Sequence, residues 1–220
     1  MIITIAGNYG SGGLWVAKKA AEILNYRFLD DDTTIKMLDD LDLGISGEDF
    51  LTYDENKGFD SLSSLRRISA VASNSPYSAY FSEEKSVPLE AQYREALRHL
   101  SRDFAKDGNC VLVGRCAGYF LKPNPELICF FTTDDDSVRL KRIMDFWNCD
   151  ENEAVKWMKK RDKRRAEYNK YFTESDTWGD PKHYHYIVHT NTLGLDGTAE
   201  LISEIVRIRE KAAGSDSIIK

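Results

Sequence analysis

Gly7–Gly13 reads GNYGSGG and follows the apolar residues Ile2, Ile3, Ile5 and Ala6. The spacing Gly7-x-x-x-x-Gly12 is that of a P-loop, a strand-to-helix turn that holds phosphate. Glycines let such a turn point its backbone N–H groups inward around an anion, and the following helix adds its positive end. Gly7, Asn8, Gly10, Ser11, Gly12 and Gly13 are therefore the candidate phosphate-binding residues. The complete motif continues with Lys, which contacts the β- and γ-phosphates, and then Ser or Thr, which coordinates Mg²⁺. Here Gly13 and Leu14 occupy those places. A phosphate cradle is expected, without the cation that normally accompanies it.

A second candidate lies in RDKRRAEYNKY (Arg161–Tyr171). On a helix, Arg161, Arg164 and Arg165 stand at i, i+3 and i+4 and share a face. Arginines that converge on a transferring phosphoryl group stabilise its negative charge, so these three are the candidate catalytic residues. The alternative is a solvated basic face paired with Asp162 and Glu167. FLDDD (Phe28–Asp32) places carboxylates at the end of a short strand, where open α/β sheets bind ligands. Asp30 and Asp32 are candidates for holding Mg²⁺ through water or for accepting from an acceptor hydroxyl. A helix cap is also expected there, from Asp31 or Asp32. In VGRCAGYFL (Val113–Leu121), Arg115 follows another strand and is a candidate clamp for phosphate or acceptor. His99, His183, His185 and His189 show no H-x-x-x-H spacing, so no metal site is built from them.

These residues need elements to position them. Ile2–Ala6, Arg27–Leu29, Cys110–Val113, Leu127–Phe131 and Tyr186–Val188 read as strands. Cys110–Val113 and Leu127–Phe131 are continuous apolar runs, the pattern of strands buried on both faces. Helices are expected from about Gly12 to Leu24, through Ile35–Leu38, and from about Asp196 to Lys211. Strands alternating with helices imply right-handed crossovers and a parallel sheet covered on both sides. Two segments break that rhythm. Residues about 40–85 are polar, with a short helix expected around Ser64–Ala72 and an aromatic patch at Tyr77, Tyr80 and Phe81. The patch either folds onto its own core or meets a second copy of the chain, a homodimer. Residues about 148–180 hold a long basic helix, opened by a capping-box-like Asp150 and Glu153 and ended by the turn-like Trp178–Pro181. Both segments look like insertions on one α/β domain spanning 1–220, in the places of lids and acceptor lobes.

The chain carries a formal net charge of −6, which disfavours non-specific nucleic-acid binding. None of its apolar stretches approaches the roughly 20 residues of a membrane span, and MIITIAG lacks the basic flank of a signal peptide. Four cysteines without C-x-x-C spacing read as reduced thiols in a cytoplasmic protein, with Cys110 and Cys129 in apolar runs.

GNYGSGG, GNCVLVGRCAGYFL, RDKRRAEYNKYF and WGDPKHYHYIVHTNTLG together resemble the bacterial cytidylate kinase-like family, related to the P-loop nucleoside monophosphate kinases. The resemblance implies a P-loop NTPase three-layer α/β/α fold with a five-stranded parallel sheet, a helical lid carrying arginines, and an acceptor lobe between the second and third strands. It also implies ATP and Mg²⁺, with CMP or dCMP as acceptor. Gly7–Gly13 would hold the donor phosphates, Arg161 and Arg165 would lie in the lid, and Arg115 would follow the third strand. Cys116 stands where cytidylate kinases have an Asp that contacts the acceptor. Leu14 and Trp15 replace the Arg-Glu usual after Gly-Ser-Gly-Gly in this group. Two functions follow from these residues: phosphoryl transfer from ATP to a small acceptor, or nucleotide binding without catalysis in a regulatory protein.

Overall fold

The computed structural model describes residues 1–41, 89–173 and 178–216. The expected helix at Ser64–Ala72 and the patch Tyr77, Tyr80, Phe81 lie outside them. The chain divides into two compact units, Met1–Phe28 with Ala105–Lys220, and Leu29–Phe104.

The strands are β1 (Ile2–Gly7), β2 (Arg27–Phe28), β3 (Cys110–Val113), β4 (Leu127–Thr133) and β5 (Tyr186–His189). They form one parallel sheet in the order β2-β3-β1-β4-β5. The helices are α1 (Gly13–Leu24), α2 (Asp31–Leu41), α3 (Leu89–Ala105), α4 (Ala117–Phe120), α5 (Asp136–Trp147), α6 (Glu151–Thr173) and α7 (Gly194–Asp216). A 3₁₀ turn at Pro181–His183 precedes β5. The architecture is the expected three-layer α/β/α fold of P-loop proteins, with β1 central and the glycine loop at its carboxyl end.

Each strand of the sheet centre is buried on both faces, which is why its sequence is apolar without alternation. On one face Ile3, Ile5, Val111, Ile128 and Phe130 pack with Val16, Ala17, Ala20 and Ala21 of α1 and with Ala199, Ile202 and Val206 of α7. Small residues on α1 let that helix approach closely. On the other face Gly118 of α4 lies against Thr4 and Cys129, and Phe131 receives the rings of Trp178 and Tyr184 at 5.5 and 4.9 Å. Cys110 and Cys129 are buried in the sheet, and burial pushes the Cys110 thiol up to about 11. These are packing thiols, as their apolar settings imply.

The long basic helix is present as α6, and Asp150 Oδ1 accepts the Glu153 N–H at 2.9 Å. Trp178–Pro181 does turn the chain: Gly179 has φ +80°, and Asp180 Oδ1 accepts the Lys182 N–H at 3.1 Å. Three helices go beyond the sequence reading, the short α4 among them. In the second unit, α3 buries Ala96, Leu97, Leu100 and Phe104 at helical spacing. In the first unit, α5 buries Ile143 but also Arg139, so its inward stripe is partly charged. The cap of α2 also differs from expectation. Asp30, rather than Asp31 or Asp32, accepts the Thr33 N–H at 2.8 Å, and its carbonyl takes the Thr34 N–H and hydroxyl. The helix starts one residue earlier than an Asp31 cap would allow and two earlier than an Asp32 cap would.

At the sheet edge an imidazole completes the hydrogen bonding. His185 Nδ1 accepts the Cys129 N–H at 2.9 Å, while the His185 N–H donates to the Cys129 carbonyl at 2.8 Å. Burial first, and then the Arg209 charge, hold this imidazole below its ordinary 6.5. The unfolded chain therefore takes up the proton first as pH falls. The stability that this contact contributes is intact above about 6.5 and is lost on acidification towards the lower folded value. The urea midpoint is expected to drop further between about pH 7.5 and about pH 5 in wild type than in His185→Gln, which cannot titrate. Equal drops in the two proteins would refute this assignment.

Candidate phosphate-binding site

The glycine loop is fixed through its carbonyl oxygens. Arg165 Nη1, from α6, donates to the Gly7 carbonyl at 2.6 Å. Arg139 Nε, from α5, donates to the Tyr9 carbonyl at 2.9 Å. Arg142 Nη1, one turn further along α5, lies 3.4 Å from the Gly10 carbonyl oxygen and 3.2 Å from that of Ser11. Thr190 Oγ1 lies 2.7 Å from both the Ser11 carbonyl oxygen and Asp134 Oδ2, donating to one at a time, and accepts from Arg142 at 2.8 Å. Asp134, buried just past β4, also takes Arg142 Nη1 at 2.9 Å. With the carbonyls turned outward onto cations and hydroxyls, the loop keeps a set of N–H groups for an external acceptor. Among the described residues no acceptor takes the N–H of Gly10, Gly12 or Gly13. Gly13 opens α1, so the positive end of that helix adds to the same place.

The glycines have a different reason from the one the motif suggests. A Cβ at Gly13 would lie 2.5 Å from Thr132 Oγ1, and one at Gly7 would overlap the same oxygen. Thr132 is fully buried, accepts or donates a hydrogen bond with Ser11 Oγ at 2.9 Å, and donates to the Ala6 carbonyl at 3.3 Å. At Gly12, φ is +79° and a Cβ would overlap Leu195. At Gly10 a Cβ would meet the Arg139 carbonyl at 2.8 Å. The side-chain space at these positions is taken by the protein, so close packing requires glycine with or without a ligand. Where a P-loop lysine would begin, Thr132 stands in the way.

Helix α6 reaches the loop from above. Asp162 Oδ1 accepts the Tyr9 N–H at 2.7 Å and pairs through its other oxygen with Arg139, which also holds Asp136 at 2.9 Å. Arg161 and Arg165 both lie over the Tyr9 ring, each 5.5 Å from its centroid. Of the three arginines, the structure therefore brings Arg161 and Arg165 to the loop. Arg164, half-buried on the same helix, has no hydrogen bond or ion pair among the described residues. The solvated-face alternative holds for Glu167, which meets Lys163 at 3.7 Å, but not for Asp162.

Arg115 sits in the turn after β3, in the same unit as the loop. That turn hangs from β1 by the Gly114 N–H, which donates to the Ile5 carbonyl at 3.0 Å. Gly114, Arg115 and Cys116 have φ of +65°, +49° and +56°. Left-handed backbone at two successive side-chain-bearing residues is costly and is found where a site needs it. Asn169 of α6 reaches Cys116 Sγ at 3.8 Å. Asp30 and Asp32 belong to the other unit, Asp30 as the cap of α2 and Asp32 exposed in its first turn.

Tyr9, Thr132, Asp134, Arg139, Arg142, Asp162 and Thr190 all contribute to this site and were not among the sequence candidates. A signal for two of them existed. Arg139, Arg142 and Ile143 stand at i, i+3 and i+4, so two arginines share the apolar stripe of a helix, which demands buried partners. As to cofactors, the open N–H groups suit a polyphosphate. Among the described residues no group of three His, Cys, Asp or Glu is placed to hold a metal.

The steric relation between Gly13 and Thr132 is testable by itself. Gly13→Ala is expected to lower unfolding stability by about 1–3 kcal/mol, the range of core overpacking. Thr132→Ala removes the obstructing oxygen and leaves Cβ at 3.7 Å. The double variant should recover part of the loss, with a coupling of about 1 kcal/mol or more by chemical denaturation. Strictly additive losses would show that the loop moves away from Thr132 instead.

The family model for the cytidylate kinase-like family matches residues 2–192, a span that takes in the glycine loop, the β3 turn and α6. A cytidylate kinase of an Exiguobacterium species is 25% identical over 228 residues, covering 93% of this chain and 95% of that protein. A cytidylate kinase of Methanocaldococcus jannaschii is 26% identical over 209 residues, covering 94% and 97%. The crystal structure of an uncharacterised protein from Eubacterium ventriosum is similar at a TM-score of 0.61 and 25% identity, over 94% of this chain and 98% of that one. With its loop, parallel sheet and arginine helix accounted for, this chain belongs to the cytidylate kinase-like family.

Proposed function

We propose that this protein transfers a phosphoryl group from ATP, with Mg²⁺, to a small acceptor, a nucleoside monophosphate such as CMP or dCMP. One observation carries the reading: two lid guanidiniums, Arg161 and Arg165, meet over a loop whose Gly10, Gly12 and Gly13 N–H groups remain open. Family membership and the names of the two relatives support the substrate class. In this reading Gly7–Gly13 binds the donor phosphates. Arg161 and Arg165 meet the charge that develops on the transferred group, and Arg164 adds to the field of the lid. Arg115 contacts the acceptor, while Asp30 holds the start of the helix that carries Asp32. The protein works in the cytoplasm, where its four thiols stay reduced.

A second reading, nucleotide binding without turnover, is favoured by the closure of the lysine position by Thr132. Nucleotide affinity and ADP production, measured side by side across a panel of nucleoside monophosphates, separate the two. Under the transfer reading, Arg161→Ala and Arg165→Ala each lower turnover by at least about a hundredfold, because arginines of this kind act mainly on the transition state. ATP affinity falls by a much smaller factor than turnover. Binding without turnover on every acceptor selects the second reading.

A further inference from the structure

Tyr9 occupies a loop position at which a phosphate-binding turn needs only backbone, yet every polar group of this residue is engaged. Its N–H donates to Asp162 at 2.7 Å, its carbonyl accepts from Arg139 at 2.9 Å, and its hydroxyl accepts from Trp147 Nε1 at 2.8 Å. Three fixed points, on two helices, hold the ring still. Over that ring lie the guanidiniums of Arg161 and Arg165, both 5.5 Å from the centroid. Arg165 also donates to the Gly7 carbonyl at 2.6 Å, yet two like charges at one spot still repel each other. The negative face of an aromatic ring attracts both and offsets that repulsion.

We propose that Tyr9 is a positioning residue, whose ring stations Arg161 and Arg165 above the open N–H groups of the glycine loop. The inference rests on the reading of that loop as a polyphosphate site. The tyrosine then supplies through its face part of what the missing lysine would supply by its own charge: cations already in place when phosphate arrives. Pre-placing them removes an ordering cost from each binding event. The hydroxyl's role is to hold the ring through Trp147, while the ring itself does the stationing.

The experiment uses the full chain, with inorganic pyrophosphate as probe. The Nε–Hε signals of Arg161 and Arg165, assigned through Arg161→Lys and Arg165→Lys, should be shifted upfield by the ring current in the free wild type. They should stay shifted in Tyr9→Phe and move to ordinary positions in Tyr9→Leu. Calorimetry with pyrophosphate should show affinity about fivefold to thirtyfold weaker in Tyr9→Leu, the loss of two exposed cation–π contacts, and recovery to within about threefold in Tyr9→Phe. Thermal melts followed by circular dichroism verify that the variants are folded, and the wild-type signals decide the matter even if Tyr9→Leu is not. Unshifted arginine signals in wild type overturn the inference, as does wild-type affinity in a folded Tyr9→Leu. A Tyr9→Phe variant as weak as Tyr9→Leu overturns it too, by moving the role to the hydroxyl. Shifted signals and tight pyrophosphate binding in a protein that transfers no phosphoryl group leave the inference standing and reject only the proposed reaction.

Discussion

The glycine loop depends on where its carbonyl oxygens go. A turn can present several N–H groups on one side only if its carbonyls are satisfied on the other, since buried backbone groups left unpaired are expensive. Arg165, Arg139, Arg142 and Thr190 take the carbonyls of residues 7, 9, 10 and 11. Three of those donors are anchored in turn by carboxylates. Asp162 and Asp136 hold Arg139, and Asp134 holds Arg142 and Thr190. Removing one member of such a set leaves a partly buried charge uncompensated, which costs far more than a surface pair contributes. The shape of the loop is therefore a property of α5, α6 and the turns after β4 and β5 as much as of its own seven residues.

This arrangement bears on the absent lysine. Thr132 lies between the two ends of the loop and excludes a side chain from both Gly7 and Gly13. The positive charge around the loop stands on neighbouring helices. Arg139 and Arg142 reach the loop from behind, through peptide groups, and Arg161 and Arg165 lie over the Tyr9 ring. An arginine pair on a helix can be positioned by the movement of that helix, whereas a P-loop lysine is tied to the loop. The site thus couples charge to the placement of α6, which the Asp162 contact with the Tyr9 N–H sets directly.

Much of the first unit was legible in the sequence. Strands at the sheet centre announce themselves because burial on both faces requires unbroken apolar runs, and Cys110–Val113 appears at its expected bounds. Helix α6 was legible because the Asp150 cap and the basic periodicity are local signals. The helix α5 was not, because its inward stripe includes Arg139 and Arg142. A periodicity that looks for apolar residues passes over a stripe whose charges are neutralised by partners far along the chain. The cap of α2 was misplaced by a residue or two among three consecutive aspartates, any of which has the chemistry to cap.

What the sequence determined by itself is the class of fold, the place of the glycine loop at the first strand-to-helix junction, and the presence of an arginine-rich helix. These rest on local spacing and on hydrophobic pattern, both of which are written along the chain. Only the tertiary structure decided which groups meet. It showed that Gly7 and Gly13 make room for Thr132, that Gly12 makes room for Leu195, and that Arg161 and Arg165, rather than all three arginines, share the ring of Tyr9. The reason is physical. Contacts between residues more than a hundred positions apart depend on strand order and helix packing, and residue type alone carries no record of the partner that packing will supply.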